Sequence, residues 1–199
     1  MKILLLGASG QTGREFATSA IAQGHRVRAL VRRVPAGDMA LSDWRLGDAS
    51  SAEALRDAVA DQDAVVSCLG QRSSADAGIL GANARALVSA LAGSSTRLLV
   101  ISQGLLSPSA NPLVLLLRLV LRRHVRDSRE MEAAIGAWDG DWTIVRPPRL
   151  TNGVETAWVS AVDRQPANSS MSRKTLAAFL LDALEAPQFY RKVVGVGAR

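Results

Sequence analysis

The sequence predicts an α/β fold, a single doubly wound parallel sheet with helices on both faces. Apolar runs of strand length recur along the chain, helix-compatible stretches lie between them, and no repeat or low-complexity segment interrupts the alternation. Parallel strands give nearly continuous apolar runs because helices cover both faces of their sheet. At 199 residues one domain is expected. We therefore assign residues 1–199 to one domain with a core at 1–146.

The predicted elements alternate in order up to residue 146. Strands are expected at Lys2–Leu6, Arg26–Val31, Trp44–Leu46, Asp63–Leu69, Arg97–Ser102 and Asp141–Arg146. Helices are expected at Gln11–Gln23, Ser51–Ala60, Gly78–Ala92 and about Ser128–Ala137. Gly24 and Gly93 end two of these helices, and Ser50 or Ser51 suits the N-cap of another.

The pattern loosens over residues 147–199. Val154–Val162 is compatible with a strand, Ser172–Glu185 with a helix, and Tyr190–Val196 with an edge strand. About fifty residues could hardly build a second core. Substrates of open α/β sheets bind outside the carboxyl ends of the strands. We therefore expect this segment to close the substrate side of the same domain.

A glycine-rich loop, Gly7-Ala8-Ser9-Gly10-Gln11-Thr12-Gly13, joins the first strand to the first helix. Glycines permit a tight turn and the close approach of a pyrophosphate, and the helix N-terminus offers free N–H groups. The strand before and the helix after are the context that a Rossmann-type dinucleotide site requires. The loop therefore predicts dinucleotide binding through Gly7, Ser9, Gly10, Gln11, Thr12 and Gly13; a purely structural turn is the alternative.

The end of the second strand indicates which dinucleotide is bound. An NAD site places an acid there for the ribose 2′-OH, whereas this strand ends in Arg32-Arg33 and the next acid is Asp38. Guanidinium groups pair with a 2′-phosphate and stack on adenine. Arg32 and Arg33 therefore favour NADP(H), although in an arginine-rich chain they could simply solvate a loop.

Further motifs follow the later strands: Gly47-Asp48, Leu69-Gly70, Ser102 and Val145-Arg146-Pro147-Pro148. Together with the G-x-x-G-x-x-G spacing, they make the chain resemble atypical short-chain dehydrogenases/reductases. The resemblance is to their NAD(P)-binding, NmrA-like group, which includes biliverdin-IXβ/flavin reductases. It covers essentially the whole chain.

This resemblance implies further cofactor contacts. Asp48, with Ala49, would lie beside the adenine amino group, or Asp48 could instead cap the following helix. Gly70, with Leu69, would let the backbone pass close to the cofactor, or could simply end its strand. The resemblance also implies contacts from Pro147 and from Ser102, whose hydroxyl would orient the carboxamide or donate to the acceptor. A turn-capping serine is the alternative.

The usual catalytic dyad of short-chain dehydrogenases, Tyr-x-x-x-Lys, is absent. Tyr190 is the single tyrosine, and no lysine lies between Lys2 and Lys174. The resemblance implies hydride transfer from NADPH to a flat conjugated acceptor of the flavin, quinone or tetrapyrrole type, in which positioning supplies most of the catalysis. The alternative is a non-catalytic NADP(H)-sensing regulator that acts through a protein partner.

Arg149 stands where the resemblance would place a histidine. A permanently protonated arginine could bind an anionic acceptor but could not act as an acid. Ser102 and Arg149 are therefore the candidate catalytic residues.

The remaining reactive side chains predict no metal site. One cysteine excludes a disulfide framework and a multi-cysteine metal site, and Cys68 is expected to be a small buried residue. His25 and His124 are expected at the surface. Because Gly7 ends the initial apolar run and no cleavage pattern follows, we expect a cytoplasmic protein.

The net charge of +6 is carried almost wholly by arginine, since only three of the 24 basic residues are lysine. Such a balance suits nucleic acid, an anionic membrane or a polyanionic ligand, or reflects genome composition. Scattered arginines without a recognition motif argue against nucleic acid.

The segment 105–129 is unusual. An apolar run, Leu113–Leu121, is too short to span a bilayer and precedes the arginines Arg122, Arg123, Arg126 and Arg129. Three interpretations remain open: a core-packed helix with a basic edge, a lid over an anionic aromatic substrate, and an interfacial or docking helix. In the last case a partner protein or a second copy could bind here.

Overall fold

The computed structural model describes residues 1–35, 41–71, 76–167 and 170–199. Its strands are β1 (Lys2–Leu6), β2 (Arg26–Val31), β3 (Asp43–Leu46), β4 (Ala64–Ser67), β5 (Arg97–Ile101), β6 (Trp142–Arg146), β7 (Arg149–Thr151), β8 (Trp158–Val162), β9 (Ser170–Ser172) and β10 (Lys192–Ala198). Its helices are α1 (Gln11–Ala22), α2 (Ala52–Val59), α3 (Ile79–Ala90), α4 (Pro112–Val120), α5 (Arg122–Gly136) and α6 (Arg173–Leu184).

Eight of these strands form one sheet in the order β3-β2-β1-β4-β5-β6-β10-β8. All neighbours are parallel except β10 and β8, which pair antiparallel. The chain runs outward from β1 through β2 to β3, and then resumes on the other side of β1 at β4. The predicted doubly wound α/β fold is confirmed, and the switch point lies between β1 and β4.

The buried side chains form two layers, one on each face of the sheet. Ile3 and Leu5 of β1 pack against α1 and α6, whereas Leu4 and Leu6 pack against α2, α3 and α5. Successive strand side chains point to opposite faces. A strand covered on both faces must therefore be apolar at every position, as β1 is after Lys2.

The prediction of an edge strand at Tyr190–Val196 is wrong. Strand β10 lies inside the sheet, between β6 and β8, and β8 is the edge. Val194 and Val196 are fully buried. The burial of four successive β10 residues is typical of an interior strand, and the half-buried side chains of β8 are typical of an edge.

Residues 147–199 extend the same sheet and cores. They supply β8 and β10, and α6 packs beside α1. Strands β7 and β9 pair parallel in a separate small sheet just after the carboxyl end of β6. Closure of the substrate side by this segment stays a prediction.

The core-packed interpretation of the apolar run is wrong for α4. None of its nine residues, all of them described, is buried. The following helix does pack inward, through Val125, Met131 and Ile135 of α5. Within the described ranges, no helix combines the length and the apolar character that a membrane crossing needs.

Candidate functional site

The predicted site residues follow the carboxyl ends of six adjacent parallel strands, so the fold brings them to one edge of the sheet. Along that edge they follow, in order, β3, β2, β1, β4, β5 and β6: Asp48 and Ala49, Arg32 and Arg33, the glycine loop, Leu69 and Gly70, Ser102, and Pro147. Ligands of open α/β sheets bind at this edge, at the switch point.

The glycine loop is shaped by close backbone approaches. Gly7 has a φ of +80°, and a Cβ added to it would lie 2.7 Å from the carbonyl oxygen of Cys68. A Cβ on buried Gly13 would lie 2.3 Å from the carbonyl oxygen of Gly7. Gly7 is therefore required by its backbone conformation and by the chain that follows β4, and Gly13 by its approach to Gly7, which brings the start of α1 against the end of β1.

The start of α1 lies at the carboxyl edge of the sheet and has no side-chain cap. Gly10 is the N-cap and supplies no side-chain acceptor. Ser9 and Gln11 are exposed, and Thr12 is half-buried. The N–H groups of a first helical turn have no partner within the helix and carry the positive end of its dipole. This arrangement suits an anionic group such as a pyrophosphate.

The N-terminus of α3, the helix that follows β4, is capped by a side chain from another helix. The buried carboxylate of Asp127 on α5 accepts from the backbone N–H groups of Leu80 (3.2 Å) and Gly81 (2.9 Å). It also accepts from the side chain of Gln71, directly after Gly70. Asp127 therefore caps α3 and binds the side chain of Gln71. Sequence reasoning missed it because its partners lie about fifty residues away.

Arg32 and Arg33 are exposed immediately after β2. Among the ion pairs of the described residues, none involves either arginine. Asp38, the acid that the sequence places next in the chain, lies outside the described residues. Two exposed guanidinium groups therefore stand at the strand end where a dinucleotide presents its ribose.

Asp48 does not cap a helix. Ser51 is the N-cap of α2, and its Oγ accepts from the backbone N–H of Ala54 at 3.3 Å. Asp48 is exposed and accepts from the N–H of Ser50 at 2.8 Å. The adjacent Ala49 is held by its carbonyl oxygen, which accepts from buried Asn83 at 2.7 Å. The segment is thus fixed from both sides, and sequence reasoning missed Asn83.

The loop after β4 leaves room at Gly70. A Cβ added to exposed Gly70 would meet no heavy atom of the described residues within 4 Å, and its φ lies outside the left-handed region. Leu69, half-buried, packs against the α2–α3 side of the core. No contact within the described protein therefore explains a glycine at position 70.

Ser102 belongs to a charged network. Its Oγ donates to Glu132 Oε1 at 2.6 Å, and Arg146 donates to both oxygens of the same carboxylate, at 2.9 and 2.5 Å. The Arg146 and Glu132 side chains are only 14% and 12% exposed. This bidentate pair fixes the Ser102 hydroxyl. With its proton donated to Glu132, the serine oxygen remains an acceptor.

The segments after β5 and β6 are bound to each other. Pro147 is buried, and its carbonyl oxygen accepts from the N–H of Gly104 at 2.8 Å. Arg149 begins β7 and is exposed. The structure thus places Ser102 and Pro147 on adjoining segments, with Arg149 two residues further along the chain.

The tyrosine and the two histidines were not predicted as site residues, and only His124 lies near one, beside the segment that follows Ser102. Tyr190 is at the amino end of β10, where Arg97 stacks over its ring at 4.2 Å. His25 lies in the turn before β2, with Nδ1 3.2 Å from the amino group of Met1. His124 is half-buried on α5, and its carbonyl oxygen accepts from Gln103. Tyr190 and His25 are thus at the sheet edge opposite the glycine loop.

Cys68, next to the loop, is half-buried, and desolvation raises the pKa of its thiol to about 12. It therefore stays protonated near neutral pH and is a poor nucleophile.

A hollow of about 500 Å³ also lies at the opposite edge, lined among others by His25, Arg28 and Asp43. Arg28 is already engaged there, with Asp43 at 2.8 Å and with the carbonyl oxygens of Ala58 and Ala60. The hollow contains none of the predicted site residues. The amino ends of parallel strands are also not where such sheets bind ligands.

Comparison with known proteins places these features in a family. A family described as NAD(P)H-binding matches residues 7–187. No curated protein matches the sequence.

Solved structures of similar shape cover nearly the whole chain. A candidate NADH-flavin reductase from Streptococcus pneumoniae is 20% identical, with a TM-score of 0.85 and full coverage of both chains. A short-chain dehydrogenase/reductase from Veillonella parvula, in complex with NADP, is 21% identical over 98% of this chain and 94% of that one, with a TM-score of 0.78. A candidate NAD-dependent epimerase/dehydratase from Bacillus halodurans is 20% identical over 100% and 94%, with a TM-score of 0.82. At these identities the likeness establishes the fold.

Proposed function

Because the chain belongs to the NAD(P)H-binding family, we propose that it is an NADPH-dependent oxidoreductase that reduces a flat conjugated acceptor of the flavin, quinone or tetrapyrrole type. The observation that carries the cofactor part is the contrast between two helix starts at the switch point. Asp127 fills the start of α3, whereas Gly10 leaves that of α1 without a side-chain cap. The pyrophosphate would bind at the start of α1.

The preference for NADPH rests on this chain's own arginines. The similar pneumococcal protein is named as an NADH-flavin reductase, whereas the Veillonella protein was solved in complex with NADP. The comparisons are therefore compatible with either nucleotide. Arg32 and Arg33 would pair with the 2′-phosphate and flank the adenine. Asp48 and Ala49 would lie beside the adenine on one side, and Leu69 and Gly70 along the cofactor on the other.

NADPH, when bound, supplies a hydride from its nicotinamide ring, and the acceptor takes its proton from water. The residues that follow β5 and β6 would position these partners. The Ser102 oxygen suits the role of accepting from the carboxamide NH₂, because its own proton is donated to Glu132. Pro147 would border the nicotinamide, and exposed Arg149 would attract an anionic group of the acceptor.

Titration with NADPH and NADH tests the cofactor assignment. Arg32→Gln and Arg33→Gln should weaken NADPH binding, by about tenfold where a charged hydrogen bond to the 2′-phosphate is lost, and weaken NADH binding much less. Arg26→Gln is the matched control, since Arg26 is an exposed arginine at the other end of β2. Equal affinities of the wild type for the two nucleotides would refute the NADPH preference.

A spectrophotometric assay of NADPH oxidation with flavins, quinones and linear tetrapyrroles tests the reaction. Turnover with at least one acceptor, reduced in Ser102→Ala and Arg149→Gln, supports a reductase. Tight NADPH binding with no turnover on any acceptor would instead support the non-catalytic regulator.

A further inference from the structure

Helix α4 presents its apolar side chains to solvent. Leu113, Leu119 and Val120 are 62%, 66% and 69% exposed, and Leu115, Leu116 and Leu117 are exposed as well. The polar side chain of the helix is turned inward: Arg118 donates from Nε to the carbonyl oxygen of Leu105 at 2.7 Å. A short helix with leucine on most of its circumference belongs in an apolar environment, yet the described protein supplies none around it.

The tether of α4 places this surface beside the candidate site. Arg118 donates to the carbonyl oxygens of Leu105 and Ser107, in the segment that follows Ser102. Gly104 of the same segment donates to Pro147. The apolar helix is therefore attached directly to the carboxyl edge of the sheet.

The charges next to α4 are basic. Between Gly104 and Asp127 the chain contains four arginines and no aspartate or glutamate. Arg122 and Arg123, at the start of α5, are exposed and take part in no ion pair of the described residues. Asp127, the first acid after them, is buried against α3. The outward charge beside the leucines is therefore positive.

We propose that α4 and the arginines at the start of α5 dock the protein on an anionic lipid bilayer. The nine residues of α4 span about 14 Å, against an apolar bilayer core of about 30 Å. The helix is thus too short to cross and suits the interface, with its leucines among the acyl chains and Arg122 and Arg123 at the headgroups. This proposal does not depend on the reaction that the protein catalyses.

A second copy of the chain fits this surface less well. A twofold interface places the same patch of both copies face to face. Arg122, Arg123 and Arg126 would then oppose their counterparts, and the only described acid paired among them is Glu130, with Arg126. Like charges brought together across an interface are unfavourable. An anionic surface satisfies both the leucines and the arginines.

Cosedimentation of the full chain with vesicles tests the proposal. We expect binding to vesicles of equal parts phosphatidylcholine and phosphatidylglycerol, weaker binding to pure phosphatidylcholine, and loss of the difference at high salt. Arg122→Glu with Arg123→Glu should lower the anionic partition coefficient by at least about tenfold. Arg26→Glu with Arg56→Glu, the same charge change at exposed positions elsewhere, should lower it much less.

Leu113→Ser with Leu119→Ser tests the apolar contribution and should lower binding to both kinds of vesicle. Both side chains are exposed, so circular dichroism melting should match the wild type. No binding by the folded wild-type chain, or equal binding to neutral and anionic vesicles, would overturn the proposal. A dimer in light scattering that the two serine substitutions dissociate, without vesicle binding, would assign the surface to a second copy instead.

Discussion

The substitution Gly70→Ala tests whether position 70 is glycine because the cofactor passes close to it or only because the strand ends there. An added methyl group meets no heavy atom of the described residues within 4 Å, and the backbone conformation there is open to alanine. Substitution of a compatible glycine by alanine restricts the unfolded chain and stabilises a protein by up to about 1 kcal/mol. We therefore expect the free energy of unfolding of Gly70→Ala to be unchanged or slightly increased.

The affinity for NADPH should respond in the opposite direction. Where the cofactor passes close to the backbone at Gly70, an extra methyl group overpacks the complex, at a cost of about 1–3 kcal/mol. This corresponds to a rise in Kd of about 5- to 150-fold. The variant would then be as stable as the wild type and bind the cofactor much more weakly.

Calorimetric titration with NADPH and thermal unfolding, done on the same preparations, measure both quantities. Gly136→Ala is the matched control, because its added Cβ would lie 4.0 Å from the nearest described atom, on Trp142, and α5 ends there, away from the glycine loop. It should keep the wild-type Kd and gain up to about 1 kcal/mol of helix stability. A wild-type Kd in Gly70→Ala would refute the cofactor role and leave Gly70 as a strand terminator.

Two further substitutions test the described contacts. Gly13→Ala forces a Cβ against the Gly7 carbonyl oxygen. We expect the free energy of unfolding to fall by about 2–3 kcal/mol and the Tm by about 5–10 °C. An unchanged melting curve would contradict this packing. Glu132→Ala leaves Arg146 buried without its partner, and we expect it to lower the free energy of unfolding by about 3–5 kcal/mol. Ser102→Ala should lower it by only about 1 kcal/mol. Urea titrations measure both values, and equal losses would argue against the network.

Cys68 should react with a thiol reagent near neutral pH only after unfolding, because its raised pKa keeps the thiol protonated. The stability from this shift is present below the ordinary pKa near 9.0 and is lost as pH rises towards about 12. Rapid labelling of the native protein would refute the assignment.

The strands were predictable because burial on both faces gives each a simple apolar pattern. The glycine loop was predictable because its glycines are required locally, Gly7 by its φ of +80° and Gly13 by its close approach to the Gly7 carbonyl oxygen. The position of β10 was not, since its valines are equally compatible with either neighbour order. Only the packing of residues 147–199 decides that β8, rather than β10, forms the edge.

The partners of the site residues could not be predicted, because they are remote in sequence. Glu132 lies thirty residues from Ser102, and Asp127 lies 46 from Gly81. Both acids lie on α5, among many other charged residues, so the sequence does not single them out as buried. A signal was present for Arg146, since a charged residue at the end of a buried strand needs a partner. The identity of that partner depends on how α5 crosses the sheet.

The arginines divide into buried and exposed ones, and the two groups respond differently to salt. Arg97 and Arg146 are enclosed, one over Tyr190 and the other against Glu132, and burial lowers the pKa of Arg97 to about 10, so it stays charged at neutral pH. Such charges act at short range and are little affected by salt. Exposed arginines act through solvent, where ionic strength screens them.

This division gives the two proposed binding surfaces different salt responses. NADPH would be held largely by backbone N–H groups at the start of α1, with Arg32 and Arg33 contributing at the 2′-phosphate and the adenine. Vesicle binding would rely on Arg122 and Arg123 against a continuous anionic surface, and such attraction falls off within a Debye length. Raising the salt concentration should therefore release the protein from vesicles while much of the NADPH affinity remains. A parallel loss of both would mean that one electrostatic surface serves both ligands.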